Sequence, residues 1–396
     1  MKELSLDPES FLPEDGYAGT LVGRASVSGA IAGPSVIAIR EDGAFDISDA
    51  APTMSDLLEL PAPAQRVAQL AGRRIGSIAD LVRNSAAHRC DTRKPFLLAP
   101  CDLQVIKAAG VTFAASLVER VIEEQAKGDP SRAAALRGQV MALIGEHFGS
   151  VKPGSSEAMR IKELFVERGL WSQYLEVGIG PDAEVFTKAP VLSSVGSGAD
   201  VGIRRDSSWN NPEPEIVLAV NSRGETVGAA LGNDVNLRDF EGRSALLLGK
   251  SKDNNAACAI GPFFRLFDAG FSIEDVRHAT VDLVVEGEDG FVLRGASSMA
   301  QISRDPLDLV AHAIGPNHQY PDGIVLFLGT MFAPVEDRDQ PGGGFTHKVG
   351  DVVRISSPKL GSLVNRVNWC DRIAPWSFGV RALFSNLAAR GLLNQQ

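Results

Sequence analysis

The chain has 396 residues, 44% of them hydrophobic and 22% charged, a globular composition that excludes a disordered or low-complexity protein. Acidic residues outnumber basic ones by 49 to 39 and no Lys/Arg stripe is present, which excludes nucleic acid and anionic membrane as partners and leaves an anionic ligand to a metal or a few local cations. Cys90, Cys101, Cys258 and Cys370 form no C-x-x-C pair, so they read as reduced thiols, and with no apolar run of signal or membrane-spanning length a cytoplasmic protein is expected.

The length predicts two domains, a smaller one over 1–95 and a larger one over 96–396. From about 17 to 50, β-type runs such as Ser35–Arg40 alternate with Gly and Asp, a small β unit. From 53 to about 84 the pattern changes to short helical stretches broken by Pro61 and Pro63. Helices are expected at 114–127, 131–148 and 156–170, the middle one starting at Ser131 and stopping at Gly149. After 183 strands are expected at 215–220, 225–231, 281–286, 291–294, 324–328, 351–356 and 363–368, with Asp289-Gly290 as a hairpin turn. Helices inserted beside a largely antiparallel sheet system make an α+β protein.

The segment 210–239 carries the chemistry. Glu213 and Glu215 alternate at the mouth of an apolar strand and share a face. A turn centred between Ser222 and Arg223 sets Glu213 opposite Gly232, with Asp234 two residues further on the same face. Three converging carboxylates need a hard cation, magnesium or manganese, although a one-residue slip would send Asp234 to the other face. On geometry alone, two solvated glutamates and a turn aspartate remain an open alternative.

The neighbouring blocks decide between them by resemblance. Glu213-Pro-Glu215, the run GNDVNLRD from Gly232 to Asp239, and Lys252 ten residues before Pro262 resemble the metal and lysine blocks of the fumarylacetoacetate hydrolase superfamily. Phe186-Thr-Lys188, Gly329-Thr330 and Gly350-Asp351 match its F-x-K, G-T and G-D elements, so the resemblance spans about 95 to 385. It implies a β-roll or sandwich catalytic domain with a helical insertion, and a homodimer or homotetramer. The blocks FTKAP, WNNPEPE and HQYPDG resemble the bacterial branch that dehydrates 2-keto-3-deoxy pentonates to 2,5-dioxopentanoate. Hydrolytic members carry N-Y-x-x-H-x-x-E, whereas Thr112 to Glu119 here places Ser116 where that histidine stands. Serine cannot act as that base, which favours dehydration over carbon–carbon hydrolysis.

The resemblance assigns Glu213, Glu215 and Asp234 to the metal and Lys252 to the base, with Lys250 as a competitor through its K-S context. A cation and burial should lower the pKa of Lys252. Glu119, alone or through a water shared with Ser116, is the candidate acid, and Thr330 the carboxylate ligand. Arg238 either contacts the anion or pairs with Asp239, and Lys188 is a substrate contact or a rim residue. None of the 6 histidines has ligand spacing, His318 and His347 being nearest Thr330 in the chain. Gly342 to Gly344 lacks a phosphate-loop ending and reads as a loop or lid. Two rival functions are an acylpyruvate-type hydrolase and a non-catalytic sugar-acid sensor.

Overall fold

The computed structural model describes residues 4, 6–144, 151–167, 171–332, 334, 336–341 and 344–393. The chain opens with β1 (Leu21–Val27), β2 (Gly33–Arg40) and β3 (Gly43–Asp46), then α1 (Met54–Glu59), α2 (Pro63–Gln69), β4 (Arg73–Gly76) and α3 (Ile78–Asn84). Thr53 and Asp56 close a reciprocal cap on α1, and Pro63 starts α2 where no N–H is needed. The short strands β5 (Phe96–Leu98) and β6 (Val105–Gly110) lead into four helices: α4 (Ala114–Ala126), α5 (Pro130–Ile144), α6 (Ser156–Glu167) and α7 (Gln173–Ile179). Three were expected. Asp129 rather than Ser131 caps α5, accepting from the Ser131 N–H at 3.0 Å, and the expected stop at Gly149 lies outside the described residues. The unexpected α7 is capped by Ser172, whose hydroxyl accepts from the Tyr174 and Leu175 N–H groups.

From there the chain is mostly strand: β7 (Glu184–Ala189), β8 (Asp200–Ile203), β9 (Asn210–Asn211), β10 (Pro214–Val220), β11 (Thr226–Asp234) and β12 (Asn236–Leu237). Two short helices, α8 (Arg238–Glu241) and α9 (Leu248–Lys252), precede β13 (Cys258–Leu266). After α10 (Ile273–His278) come β14 (Thr280–Glu286), β15 (Val292–Ser298), α11 (Pro306–Ala313), β16 (Ile324–Phe327), β17 (Val352–Ser357), β18 (Gly361–Trp369) and α12 (Val380–Ala389).

One large sheet runs β4-β3-β2-β1-β13-β11-β10-β16-β6-β7 with β5 also on β1, and a second runs β15-β14-β17-β18-β8. The strands of the first 95 residues therefore continue the main sheet through Leu21 opposite Arg265 and Val22 opposite Phe264. Ile216, Leu218 and Leu231 of the large sheet pack on Leu283, Ile355 and Leu363 of the second. Its other face is covered by Leu57, Leu58 and Val67 of α1 and α2, packed with Val217, Ile260 and Val325. Covered on both sides, β10 is buried at every position, which is why it reads as an unbroken apolar run after Glu215. The central strand β13 gave no strand signal because Gly261-Pro262 interrupts it. Pro262 falls where the β11–β13 register shifts between Ala229 and Leu231, a place where a strand tolerates a missing N–H.

Candidate active site

The β10–β11 hairpin positions three carboxylates, but not in the expected register. Glu215 lies opposite Gly232 and Pro214 opposite Asn233, so Glu213 faces Asp234, whose N–H donates to the Glu213 carbonyl at 3.0 Å. The shift is two residues, which leaves each side chain on its expected face. It arises at the turn, where the Asn221 side-chain oxygen accepts from both the Arg223 and Glu225 N–H groups and the ladder is irregular after Ala219. Glu213, Glu215 and Asp234 are 4%, 3% and 1% exposed, and a ligand oxygen from each lies within 4.8 Å of the others. Among the described residues this is the sole His/Cys/Asp/Glu group able to hold a metal, and all-oxygen donors suit a hard divalent cation.

Two lysines answer part of the charge. Lys252 Nζ donates to Glu213 Oε2 and, at 3.0 Å, to Asp234 Oδ2. Lys188, fully buried, lies 2.8 Å from Asp234 Oδ1 and donates to the carbonyls of Val235 and Lys252. It is thus not a rim residue, because β7 carries it into the core. Burial would raise Asp234, yet the two lysines hold it below its ordinary range. Glu215, which accepts from the Gly329 N–H at 2.6 Å, is pushed well above its ordinary range by burial and then by Asp234 and Glu213. For Lys252 a lowering by a cation together with burial was expected, and of these two only burial acts here. Burial favours its neutral amine, but Asp234, Glu213 and Glu241 outweigh that and raise its pKa above the usual lysine value. The lysines also separate: residues 248–252 form a helix, not a strand, so Lys250 and Lys252 point apart. Lys250 is exposed, its Nζ 4.8 Å above the Phe240 ring.

The cavity at this cluster is lined by Ser116, Arg120, Glu184, Phe186, Glu241 and Thr330 besides the carboxylates and Lys252. Its interior space is about 20 Å³, room for one ion or water. Ser116 reaches the wall, but its hydroxyl donates to the Phe113 carbonyl at 2.9 Å within the first turn of α4. Thr330 also reaches it, its Oγ1 accepting from the Phe332 N–H at 3.1 Å.

Glu119 lies outside the cavity lining. Its carboxylate is bound by Arg137 at 3.0 and 2.7 Å and by Arg238 at 3.2 Å. Arg238 pairs with Glu123 at 2.7 Å rather than with Asp239, and its guanidinium sits 4.2 Å over the Trp209 ring. Asp239 instead accepts from the Ser207 hydroxyl and the Ser208 N–H. His347 is buried against Asp351 at 3.1 Å and the His318 ring lies tilted, 4.5 Å from that of Tyr320, neither lining the cavity. Gly342 and Gly343 lie outside the described residues.

Three cavity residues escaped the sequence reading. Arg120 bridges Glu213 at 2.5 Å, Glu123 at 2.7 Å and Glu241 at 2.8 Å, so α4 is tied to the carboxylate cluster by charge. Glu241 follows Asp239 by two residues, but on α8 that spacing carries no face information. Glu184 was accessible, since Glu184 and Phe186 alternate along β7.

Residues 172–368 match the fumarylacetoacetate (FAA) hydrolase C-terminal family. Over 201 residues the chain is 31% identical to a Haloferax volcanii protein described as a probable 2-keto-3-deoxyxylonate dehydratase. Over 184 residues it is 29% identical to a 2-dehydro-3-deoxy-D-arabinonate dehydratase of Saccharolobus solfataricus. The matches span 51% and 46% of this chain and 65% and 58% of those relatives, under two thirds of either. A solved 2-keto-3-deoxy-D-arabinonate dehydratase complexed with magnesium and 2,5-dioxopentanoate is similar at a TM-score of 0.60 and 20% identity, over 88% of this chain and 99% of that one. At that identity the likeness is one of fold.

Proposed function

We propose, from the match of residues 172–368 to the fumarylacetoacetate hydrolase C-terminal family, that the protein is a magnesium-dependent hydro-lyase. Its substrate is a 2-keto-3-deoxy-D-pentonate and its product 2,5-dioxopentanoate, placing it in oxidative pentose catabolism. The observation that carries the reading is the buried cluster of Glu213, Glu215 and Asp234 with the Lys252 amine 3.0 Å from Asp234. The two dehydratase relatives and the magnesium and product complex of the structural neighbour support it.

Magnesium held by the three carboxylates would act as a Lewis acid toward the carboxylate and keto oxygens of a 2-keto acid, acidifying C3. Lys252 is positioned to take that C3 proton. Its ammonium is stabilised by Glu213 and Asp234, so once their charge is engaged elsewhere the amine is free to act as a base, with burial then favouring its neutral form. Thr330 offers a hydroxyl to the substrate carboxylate. No histidine lines the described cavity, and Ser116 is spent on the α4 turn, so an imidazole base for attacking water is missing. That supports elimination over carbon–carbon hydrolysis. The lining residues all fall between 109 and 330, consistent with 96–396 as the catalytic unit and 1–95 as an accessory one.

We further assign a cytoplasmic homodimer or homotetramer, to be checked by sedimentation. The decisive assay is incubation of the purified protein and magnesium with 2-keto-3-deoxy-D-pentonate. An aldehyde retaining all carbons and no pyruvate is expected. Pyruvate with a two-carbon fragment would assign cleavage, and no turnover would assign a sensor.

A further inference from the structure

Exposed apolar side chains are not spread evenly over the described residues. Of the twelve large ones, five fall between 376 and 393, namely Trp376, Phe378, Val380, Phe384 and Leu393, and no other stretch of that length holds more than two. The cause lies in α12. Leu383 and Leu387, four apart, bury its inner face against Leu103 and Leu192, while Val380, Phe384 and Ala388 recur at the same spacing in a neighbouring row that stays exposed. The helix thus carries a wider apolar stripe than its own chain covers. It is also firmly seated. Asn386 donates to the Ala32 carbonyl at 2.8 Å and Arg390 to the Pro34 carbonyl at 2.6 Å, which docks α12 on the β1–β2 connection. Before it, Asn255 Nδ2 donates to the carbonyls of Cys370 at 3.1 Å and Ala374 at 3.3 Å, and the Trp376 indole donates to the Phe378 carbonyl at 3.0 Å.

Trp376 also walls a groove of about 570 Å³, with Ile373, Pro375 and Asn255, and the described lining holds two carboxylates, Asp253 and Asp371, and no cation. Asp371 pairs with Arg205 at 2.6 Å, whereas Asp253 has no ion-pair partner among the described residues. Arg381 is the complement. It lies three positions before Phe384 on α12, exposed and likewise without a carboxylate partner among the described residues. One face therefore holds both an aromatic projection flanked by a cation and an aromatic-walled, acidic groove. That is the self-complementarity a twofold contact requires, in which residue i of one copy meets j of the other and j meets i.

We propose that two copies of the chain associate through this C-terminal face, Phe384 of each entering the groove beside Trp376 of the other while Arg381 meets Asp253. The proposal deepens the homo-oligomer assignment and rests on it, not on the chemistry of the carboxylate cavity. The five side chains expose roughly 400 Å² between them, half of the ~800 Å² that each partner buries in a stable interface, and the groove walls and polar rim supply the remainder. A net charge of −10 sets two copies against each other, and the arginine–aspartate exchange answers it locally. Asp253 directly follows Lys252 at the end of α9, so the contact reaches the helix that carries the base.

Sedimentation velocity of the full-length protein over a range of concentrations tests the face. Wild type should run as a dimer or tetramer. Phe384→Asp should keep the wild-type circular dichroism, because the side chain is exposed in the single copy, but weaken association by roughly 100-fold or more and so halve the mass at micromolar concentration. Arg381→Glu should weaken it by about tenfold or more, and adding Asp253→Arg should restore most of that loss by exchanging the charges, a rescue that a structural role of either residue would not give. Three results overturn the proposal: wild-type mass in Phe384→Asp, undiminished association in Arg381→Glu, or no recovery in the exchanged pair. If Phe384→Asp does not fold, the charge exchange decides alone. A wild type that stays monomeric throughout overturns the homo-oligomer assignment as well, whereas an oligomer indifferent to these changes overturns only the face. Turnover is not read, so loss of the dehydratase reading would leave the proposal standing.

Discussion

Asp234 stands directly across the β10–β11 pair from Glu213, its N–H donating to the Glu213 carbonyl at 3.0 Å. The two carboxylates are therefore fixed by backbone pairing, and Glu215 joins them by alternation. Repulsion from Asp234 and Glu213, after burial, is what raises Glu215, and a divalent cation would relieve it. Magnesium or manganese at a hundred times its dissociation constant should stabilise the fold by about 2.7 kcal/mol. Asp234→Asn and Glu215→Gln should abolish that gain. Thermal melting with magnesium and with excess EDTA checks this. An unchanged transition together with full turnover after chelation would remove the metal from the account.

Lys252 and Lys250 sit on opposite sides of α9, so their replacement should differ sharply. Lys252→Met should lower kcat by roughly 10²–10⁴-fold and stop C3 deuterium exchange, whereas Lys250→Met, which loses only a contact with Phe240, should change little. Without metal, Lys252→Met should also melt earlier, because Glu213 and Asp234 lose a buried partner. Exchange surviving in Lys252→Met but lost in Lys250→Met would reverse the assignment.

These residues also show what was legible in the sequence and what was not. The carboxylate convergence survived a wrong register because strand alternation has period two: a two-residue error returns every side chain to its face. The Lys250–Lys252 segment is too short for any period to be read, so nothing in the sequence marks the helix α9 or separates the two lysines. Arg238 shows the limit of local charge reading. Asp239 is its neighbour in the chain, but its partner Glu123 lies 115 positions away and only the packing of α4 on α8 brings them together. Glu184 was missed although alternation with Phe186 placed it on the cavity face.

Glu184 also makes a stability prediction with a definite sign. Its carboxyl is raised from an ordinary 4.5 to about 7 by burial and then Glu241. Between those values the folded state binds more protons than the unfolded one, so stability falls as pH rises. In metal-free protein, the stability of wild type relative to Glu184→Gln should be constant below about 4.5, decline through the window and level off above about 7. Paired denaturant titrations across that range measure it. A difference independent of pH would mean the carboxyl is not raised in the folded state.

The last prediction concerns Gly329, whose N–H donates to Glu215 Oε2 at 2.6 Å. Its φ of +88° is one that L side chains rarely adopt, and a Cβ there would lie 2.1 Å from Thr112 Oγ1. Thr112 cannot simply yield, because that hydroxyl donates to the Leu328 carbonyl at 2.7 Å. Gly329→Ala must therefore shift the backbone that presents the N–H to Glu215. It should destabilise the protein by about 1–3 kcal/mol and weaken manganese binding as well. Gly290→Ala provides the control. Its φ of +82° imposes a similar backbone penalty, but nothing lies within 4 Å of the new methyl group and the site is remote from the carboxylates. It should therefore cost only about 1 kcal/mol and leave manganese affinity unchanged. If both variants bind manganese as wild type does, the Gly329 N–H does not hold Glu215 in its ligating position, and the G-T element matters only for the turn.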